Sequence, residues 1–128
     1  MKVRILDLAE GDLVAGYRFY GQQAPGVGAY FFATLAGEID TLATMAGIHF
    51  RVRRFYRMLS ARFPYAIYYT IDGDEVRVWR VLDCQRNPRW ISSQLRKVRI
   101  RPVKIQDLSP LASPVMAALA AGAGGASR

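Results

Sequence analysis

Cysteine and histidine are nearly absent from this chain, since each occurs once, as Cys84 and His49. A single cysteine cannot form an internal disulfide, which fits a reducing compartment. One histidine, one cysteine and no spaced carboxylate cluster cannot supply the ligands of a typical zinc site. We therefore expect no metal and no other cofactor. Cys84 and His49 together are a conceivable nucleophilic pair, although a buried, inert cysteine is the commoner case.

Long apolar runs are also lacking. No run approaches the roughly 20 residues needed to cross a bilayer. The first residues contain no signal-peptide core, because charge returns at Asp7 and Glu10. The glycines at 25–28 follow no predicted strand and no lysine accompanies them, so they do not form a phosphate loop. We expect a cytoplasmic protein that makes no contact with membranes.

Acidic residues are scarce in the second half of the chain. The net charge is −2 over residues 1–47, +10 over residues 48–104 and 0 over residues 105–128. Such asymmetry favours a polyanionic or acidic partner over a merely solvated basic face. With 128 residues, of which 52% are hydrophobic, the chain is long enough for one folded domain with a single core.

Apolar periodicity predicts a helical hairpin near the start of the chain. A short strand over 3–6 precedes a helix over 8–23, which Pro25 and the two glycines of 24–28 interrupt. A second helix then continues to Ala46, with Gly47 as its C-cap. Two antiparallel helices joined by a short turn form a helical hairpin.

A β-hairpin is the central feature of the remainder. Its arms are predicted at 65–71 and 75–82, joined by Asp72–Gly73–Asp74. In the second arm, Val76, Val78 and Leu82 are assigned to one face, while Trp79 falls out of step with the alternation. We expect one face of this hairpin to be core and the other to meet solvent or a partner.

The other predicted elements complete an α+β fold. A strand with a bulge or turn near Arg54 is expected over 48–59, and a short helix begins near Pro88. The order β-α-α-β-β-β(-α) indicates a mainly antiparallel sheet with the helical hairpin on one face. We expect a domain over 1–95. Residues 96–128 are then a partly flexible extension, with a possible edge strand at 96–104, a possible helix at 115–121 and a glycine-rich end.

Arginine is the most prominent candidate for a functional role. Arg51, Arg53 and Arg57 alternate with apolar residues and are predicted to share one exposed side of a regular strand, largely without ion pairs. Guanidinium groups bind phosphates bidentately, and Tyr56, Tyr68 and Trp79 on the same strands could stack on bases. A docking face for an acidic protein explains the same pattern equally well. The remaining clustered arginines are Arg54, Arg62, Arg77, Arg80, Arg86 and Arg89.

Several segments resemble the ParE/RelE superfamily of bacterial toxins, and the ParE-like, plasmid-stabilisation branch is the nearer match. The likeness extends over about residues 3–95. It implies a small cytoplasmic toxin that inhibits growth and is held inactive by a cognate antitoxin, whose disordered segment folds over the basic face. The pair would contact operator DNA only through the antitoxin complex. The segments that carry the likeness are 57–59, 62–69 and 81–88, with support from 12–13, 19–20, 25–28 and 46–49.

The resemblance implies two possible targets. RelE-like members cleave mRNA on the ribosome, and Arg54, Arg57 and Arg86 are the candidate catalytic residues for that activity. Ala66 and Ser92, however, stand where those ribonucleases carry an arginine and a tyrosine. ParE-like members poison DNA gyrase without catalysis, and the two departures favour this target, with the ribonuclease as the alternative. The residues expected to bind the target or the antitoxin are Arg51, Arg53, Arg57, Arg62, Arg77 and Arg86.

Overall fold

The computed structural model describes residues 1–99, in which a five-stranded sheet is covered by helices. The strands lie in the order β1-β5-β4-β3-β2, and all neighbours are antiparallel except β1 and β5, which are parallel. The predicted α+β architecture is confirmed. The elements are β1 (Lys2–Ile5), α1 (Asp7–Gln23), α2 (Val27–Asp40), α3 (Leu42–Met45), β2 (Phe50–Val52), β3 (Phe55–Leu59), β4 (Tyr65–Asp72), β5 (Glu75–Asp83) and α4 (Pro88–Arg96).

The helical hairpin α1–α2 covers one face of the sheet. Leu13, Phe31 and Leu35 are fully buried there against Ile67 and Tyr69 of the central strand β4. This interface contains the larger of the two hydrophobic cores. Burial of such side chains is the main source of stability. The second helix is shorter than predicted: α2 ends at Asp40, and the single-turn α3 follows it.

Two glycines shape the helical part of the chain. A Cβ atom on Gly28 would lie 2.5 Å from the carbonyl oxygen of Tyr17, so only glycine allows α2 to approach α1 this closely. Gly47 follows α3 with a φ of 95°, the left-handed conformation that glycine adopts at helix ends. The predicted stop at Gly47 is therefore confirmed.

The opposite face of the sheet is covered by α4, contrary to the expectation of a solvent or partner face at the central hairpin. Tyr68, Trp79 and Leu82 pack there against Leu95 of α4 and the following Val98. The amphipathic pattern of α4 was visible in the sequence, but the sheet face that it would cover was not. We call the two sides of the sheet the α1–α2 face and the α4 face.

A β-bulge explains why Trp79 falls out of step. Tyr68 pairs with Arg80 and Tyr69 pairs with Val78, which leaves Trp79 as the extra residue of β5. Past the bulge the alternation inverts, so Val81 faces the helical hairpin and Leu82 faces α4. The assignment of Leu82 to the face of Val76 and Val78 was therefore wrong.

The predictions for the C-terminal extension fall mostly outside the described residues. This holds for the possible helix at 115–121, the glycine-rich end and most of the possible edge strand at 96–104. Where that strand was expected to begin, Arg96 instead ends α4 and Val98 is buried against the sheet.

Candidate functional site: the arginine-rich β2–β3 hairpin

The strand predicted at 48–59 is a hairpin of two short strands, and its turn separates the arginines. The chain reverses at Arg53 and Arg54, where a turn near Arg54 was expected, and Arg53 has a φ of 57°. After the reversal Arg51 lies opposite Tyr56, and Phe50 lies opposite Arg57. Cross-strand partners share a face, so Arg51 is on the α1–α2 face and Arg57 is on the α4 face. The prediction that Arg51, Arg53 and Arg57 share one side was wrong, because it assumed an uninterrupted strand.

Arg57 is half-buried and engaged within the fold. Its Nε donates a 3.2 Å hydrogen bond to the Tyr68 hydroxyl, and one terminal nitrogen lies 3.6 Å from Cys84 Sγ. Burial alone lowers the pKa of Arg57, but the contacts with Tyr68 and Cys84 raise that pKa overall, so the guanidinium stays charged. Arg57 is therefore held on the α4 face by Tyr68 and Cys84, both of which belong to the core on that side.

The other two candidates for ribonuclease chemistry also lie on the α4 face. Arg54 donates a 2.9 Å hydrogen bond to the carbonyl oxygen of Val98, and the Arg86 guanidinium sits 3.9 Å above the ring of Trp90. Arg54, Arg57 and Arg86 are therefore on one side of the molecule, and each has a local partner. Ala66 is fully buried in β4, and Ser92 lies in α4.

Arg77 and Arg80 are held in ion pairs. Arg77 contacts Glu75 at 2.8 Å and Asp72 at 2.9 Å, while Arg80, only 6% exposed, contacts Asp12 at 2.7 Å. The predicted lack of ion pairs concerned Arg51, Arg53 and Arg57, and none of these three lies within ion-pair distance of a carboxylate of residues 1–99. The ion pairs of Arg77 and Arg80 were not predicted. Asp12, in α1, lies far from Arg80 in sequence, and the sequence reasoning considered only acids of the second half.

Of the aromatic residues expected to offer stacking surfaces, two are covered. Tyr68 is 2% exposed and Trp79 is 8% exposed, with the Trp79 ring nitrogen donating to Thr70 Oγ1. Tyr56 stacks on the buried Tyr69, and the Arg51 guanidinium lies 4.6 Å from the centre of the Tyr56 ring. Bases therefore have no free ring to stack on at Tyr68 or Trp79.

Exposed apolar side chains accompany the exposed arginines of the hairpin. Phe50 is 89% exposed, although its alternation with the arginines had placed it on an apolar side, and Leu59 is 59% exposed. Arg62, in the loop after β3, is also exposed and donates to the Tyr30 hydroxyl at 3.0 Å. The exposed apolar residues are the feature that the sequence reasoning missed. We call Ile48, Phe50, Arg51, Arg53 and Leu59 the β2–β3 surface.

His49 and Cys84 are too far apart in the fold to act as a nucleophilic pair. The Nδ1 atom of His49 lies 2.6 Å from the hydroxyl of Tyr69, which belongs to the core on the α1–α2 face, and burial lowers the pKa of His49. Cys84 instead packs on the α4 face beside Arg57. The sheet separates the two residues.

Residues 1–99 contain neither a metal-binding cluster nor a membrane-spanning helix. No three His, Cys, Asp or Glu side chains of this part of the chain are grouped closely enough to hold a metal ion. No helix of the same residues combines the length and the apolar content needed to cross a membrane.

Comparison with known proteins identifies the family. A search of the curated proteins finds no match. A solved structure described as the "Chromosomal ParDE TA system from P. aeruginosa" has a similar fold, with a TM-score of 0.62 and 19% sequence identity over 66% of this chain and 97% of that chain. The family model for the "ParE toxin of type II toxin-antitoxin system, parDE" matches residues 3–88. Since this match spans well over half of the 128 residues, the chain belongs to the ParE toxin family of type II toxin–antitoxin systems.

Proposed function

We propose that this chain arrests bacterial growth by binding DNA gyrase, and that a cognate antitoxin neutralises it by covering the β2–β3 surface. The family match over residues 3–88 is the observation that carries the proposal. Both events take place in the cytoplasm, and operator DNA is contacted through the antitoxin complex. Ribosome-bound mRNA is the competing target.

The composition of the β2–β3 surface supports binding to a protein. Phe50 and Leu59 are exposed on the α4 face of this hairpin, while Arg51 is exposed on its α1–α2 face and Arg53 in its turn. Interfaces between proteins take most of their affinity from a few aromatic and arginine side chains that fill pockets on the partner. Neither Arg51 nor Arg53 lies within ion-pair distance of a carboxylate of residues 1–99, so both charges are available to a partner.

The arginines of the α4 face favour binding over catalysis. Cleavage of RNA needs groups that transfer protons and stabilise charge at the phosphate. Arg54, Arg57 and Arg86 are each engaged by a neighbouring group, and Ala66 and Ser92 cannot replace the basic and phenolic groups expected at their positions. A gyrase-type poison requires no such groups.

Expression of the chain alone and with its antitoxin tests this function. We expect growth arrest, loss of supercoiling and accumulation of cleaved DNA–gyrase complexes, all reversed by the antitoxin. The variant Arg51→Ala/Arg53→Ala should weaken binding to gyrase at least about tenfold, which is the effect typical of interface hot spots. Its melting temperature should change little, because exposed charges contribute about 0–1 kcal/mol per pair.

The matched control is Lys2→Ala/Arg18→Ala, which removes two exposed charges at a distance in sequence from the hairpin. This variant should poison gyrase like the parent chain. Normal growth at confirmed soluble expression would refute the assignment as a toxin. Codon-related cleavage of mRNA with supercoiling intact would refute gyrase and select the ribonuclease.

A further inference from the structure

The outer face of α4 differs in chemistry from the β2–β3 surface. Trp90, Ile91 and Leu95 turn inward and pack on the sheet. Arg89 and Arg96 are exposed on the helix, and so is Lys97, which follows it. The outward part of α4 thus presents cations and hydroxyl groups and lacks a large apolar side chain.

The two arginines of this face converge on one surface hollow. Arg89, Ser92 and Arg96 line an open cavity of about 320 Å³ together with Pro88. Arg89 and Arg96 are two helical turns apart, which separates them by about 10.5 Å along the helix axis. Two guanidinium groups and a hydroxyl therefore face one shared concave surface.

The charge of this region is not neutralised from within residues 1–99. Residues 84–99 contain five Lys or Arg and no Asp or Glu. No carboxylate of the described residues lies within ion-pair distance of Arg89 or Arg96. Arg89 and Arg96 are therefore available to bind an anionic partner.

We propose that the outer face of α4 binds the phosphate backbone of duplex DNA. Arginine and serine are among the side chains that contact DNA phosphates. Interfaces between proteins combine an apolar core with a polar rim, and this face offers no large apolar side chain for such a core. A single strand would need an exposed ring for its bases, and the nearby Trp90 ring is covered by Arg86.

This inference goes beyond the proposed function, because it gives the chain a contact with DNA that does not depend on gyrase. The β2–β3 surface would bind protein while the outer face of α4 binds nucleic acid. A target enzyme that is already bound to DNA would then be contacted at two places. The β2–β3 surface would contact the enzyme, and the outer face of α4 would contact its DNA.

The test is binding of the purified full-length chain to a fluorescent DNA duplex without gyrase, measured by anisotropy over a salt series. Each phosphate contact contributes about 0.9 to the slope of log affinity against log salt. The variant Arg89→Ala/Arg96→Ala should therefore lower the slope by about 1.8 relative to the parent chain. Arg89→Lys/Arg96→Lys should keep most of the slope, since the cations remain.

The control is again Lys2→Ala/Arg18→Ala, which changes the net charge by the same amount and should leave the slope as in the parent chain. Equal slopes for this control and the alanine variant of α4 would overturn the inference, because the effect would then be one of net charge. Absence of duplex binding at low salt, or tighter binding of single-stranded RNA, would also overturn it. The inference would also be overturned if Arg89→Ala/Arg96→Ala bound duplex DNA like the parent chain but no longer bound the antitoxin, because the face would then bind protein. Gyrase is absent from this assay, so its outcome is independent of the proposed function.

Discussion

At the scale of single residues, Asp12 joins three elements of the fold. Its carboxylate accepts hydrogen bonds from Arg80 Nε at 2.7 Å and from the Val81 backbone N–H at 2.9 Å. The last residue of β1, Ile5, pairs with Val78, so within residues 1–99 no strand pairs with that edge of β5 beyond this point. Asp12 takes the place of the missing strand at Val81. Arg80 in turn reaches Gln94 of α4 at 3.1 Å.

This geometry predicts a large loss of stability in Asp12→Ala. Removal of one partner leaves the buried Arg80 uncompensated, and such changes cost about 3–5 kcal/mol. Asp12→Asn should cost less, because an amide oxygen still accepts the Val81 N–H. Urea unfolding followed by circular dichroism measures the difference.

The control for this prediction is Asp40→Ala, at an exposed carboxylate at the end of α2, which should change stability by about 0.5 kcal/mol or less. Replacing both partners, as in Asp12→Leu/Arg80→Met, should recover part of the loss, because no charge is then left unpaired. Equal destabilisation by Asp12→Ala and Asp40→Ala would contradict this role of Asp12.

At the scale of elements, periodicity predicted where helices and strands lie but not every face. The hairpin arms and α1 were placed within one or two residues, because their patterns are long and regular. Leu82 and Arg57 were assigned to the wrong faces for the same kind of reason. A bulge at Trp79 and a reversal at Arg53 each interrupt the alternation, and a shift of one residue moves every later side chain to the other face.

The packing of α1 on α2 predicts opposite effects for two glycines of α2. Gly28→Ala should destabilise the fold, because its Cβ would lie 2.5 Å from the Tyr17 carbonyl oxygen, and the two helices would have to separate. Gly37→Ala should stabilise the fold by about 0.5–1 kcal/mol, because alanine is the better helix former and its Cβ meets no atom within 4 Å. Thermal unfolding of both variants checks the pair, and a stabilised Gly28→Ala would contradict the close approach of the helices.

At the scale of the whole molecule, the excess of positive charge was visible in the sequence, while its division into surfaces was not. Arg77 forms an ion pair with Glu75, and Arg80 forms one with Asp12, which lies 68 positions away in the sequence. Arg57 donates a hydrogen bond to the Tyr68 hydroxyl. Such contacts depend on tertiary packing, which spacing along the chain does not encode. Within residues 48–99 the exposed cations are consequently fewer than the composition suggests, and they lie on the β2–β3 hairpin, in the loop after β3 and between Arg86 and Arg99, in and around α4.

The tyrosines of the core predict how the stability of the whole molecule depends on pH. Burial, together with the charges of Asp83 and Asp12 and the neighbouring Tyr20, raises the pKa of Tyr65 to about 12. Unfolded tyrosine has a pKa of about 10, so between these values the unfolded chain loses a proton that the folded chain keeps. The free energy of unfolding should therefore be independent of this group below about pH 10 and fall as pH rises from about 10 to 12.

Tyr65→Phe tests this dependence, because phenylalanine fills the same site beside Phe31 and cannot ionise. Urea unfolding at a series of pH values should show a shallower alkaline decline in the variant than in the parent chain. The decline should not vanish, since burial also raises the pKa of Tyr20 and Tyr69. Between pH 8 and about pH 10 the two proteins should respond to pH alike, which provides the internal control. An identical alkaline decline in both proteins would show that the Tyr65 hydroxyl ionises as readily in the folded state as in the unfolded chain.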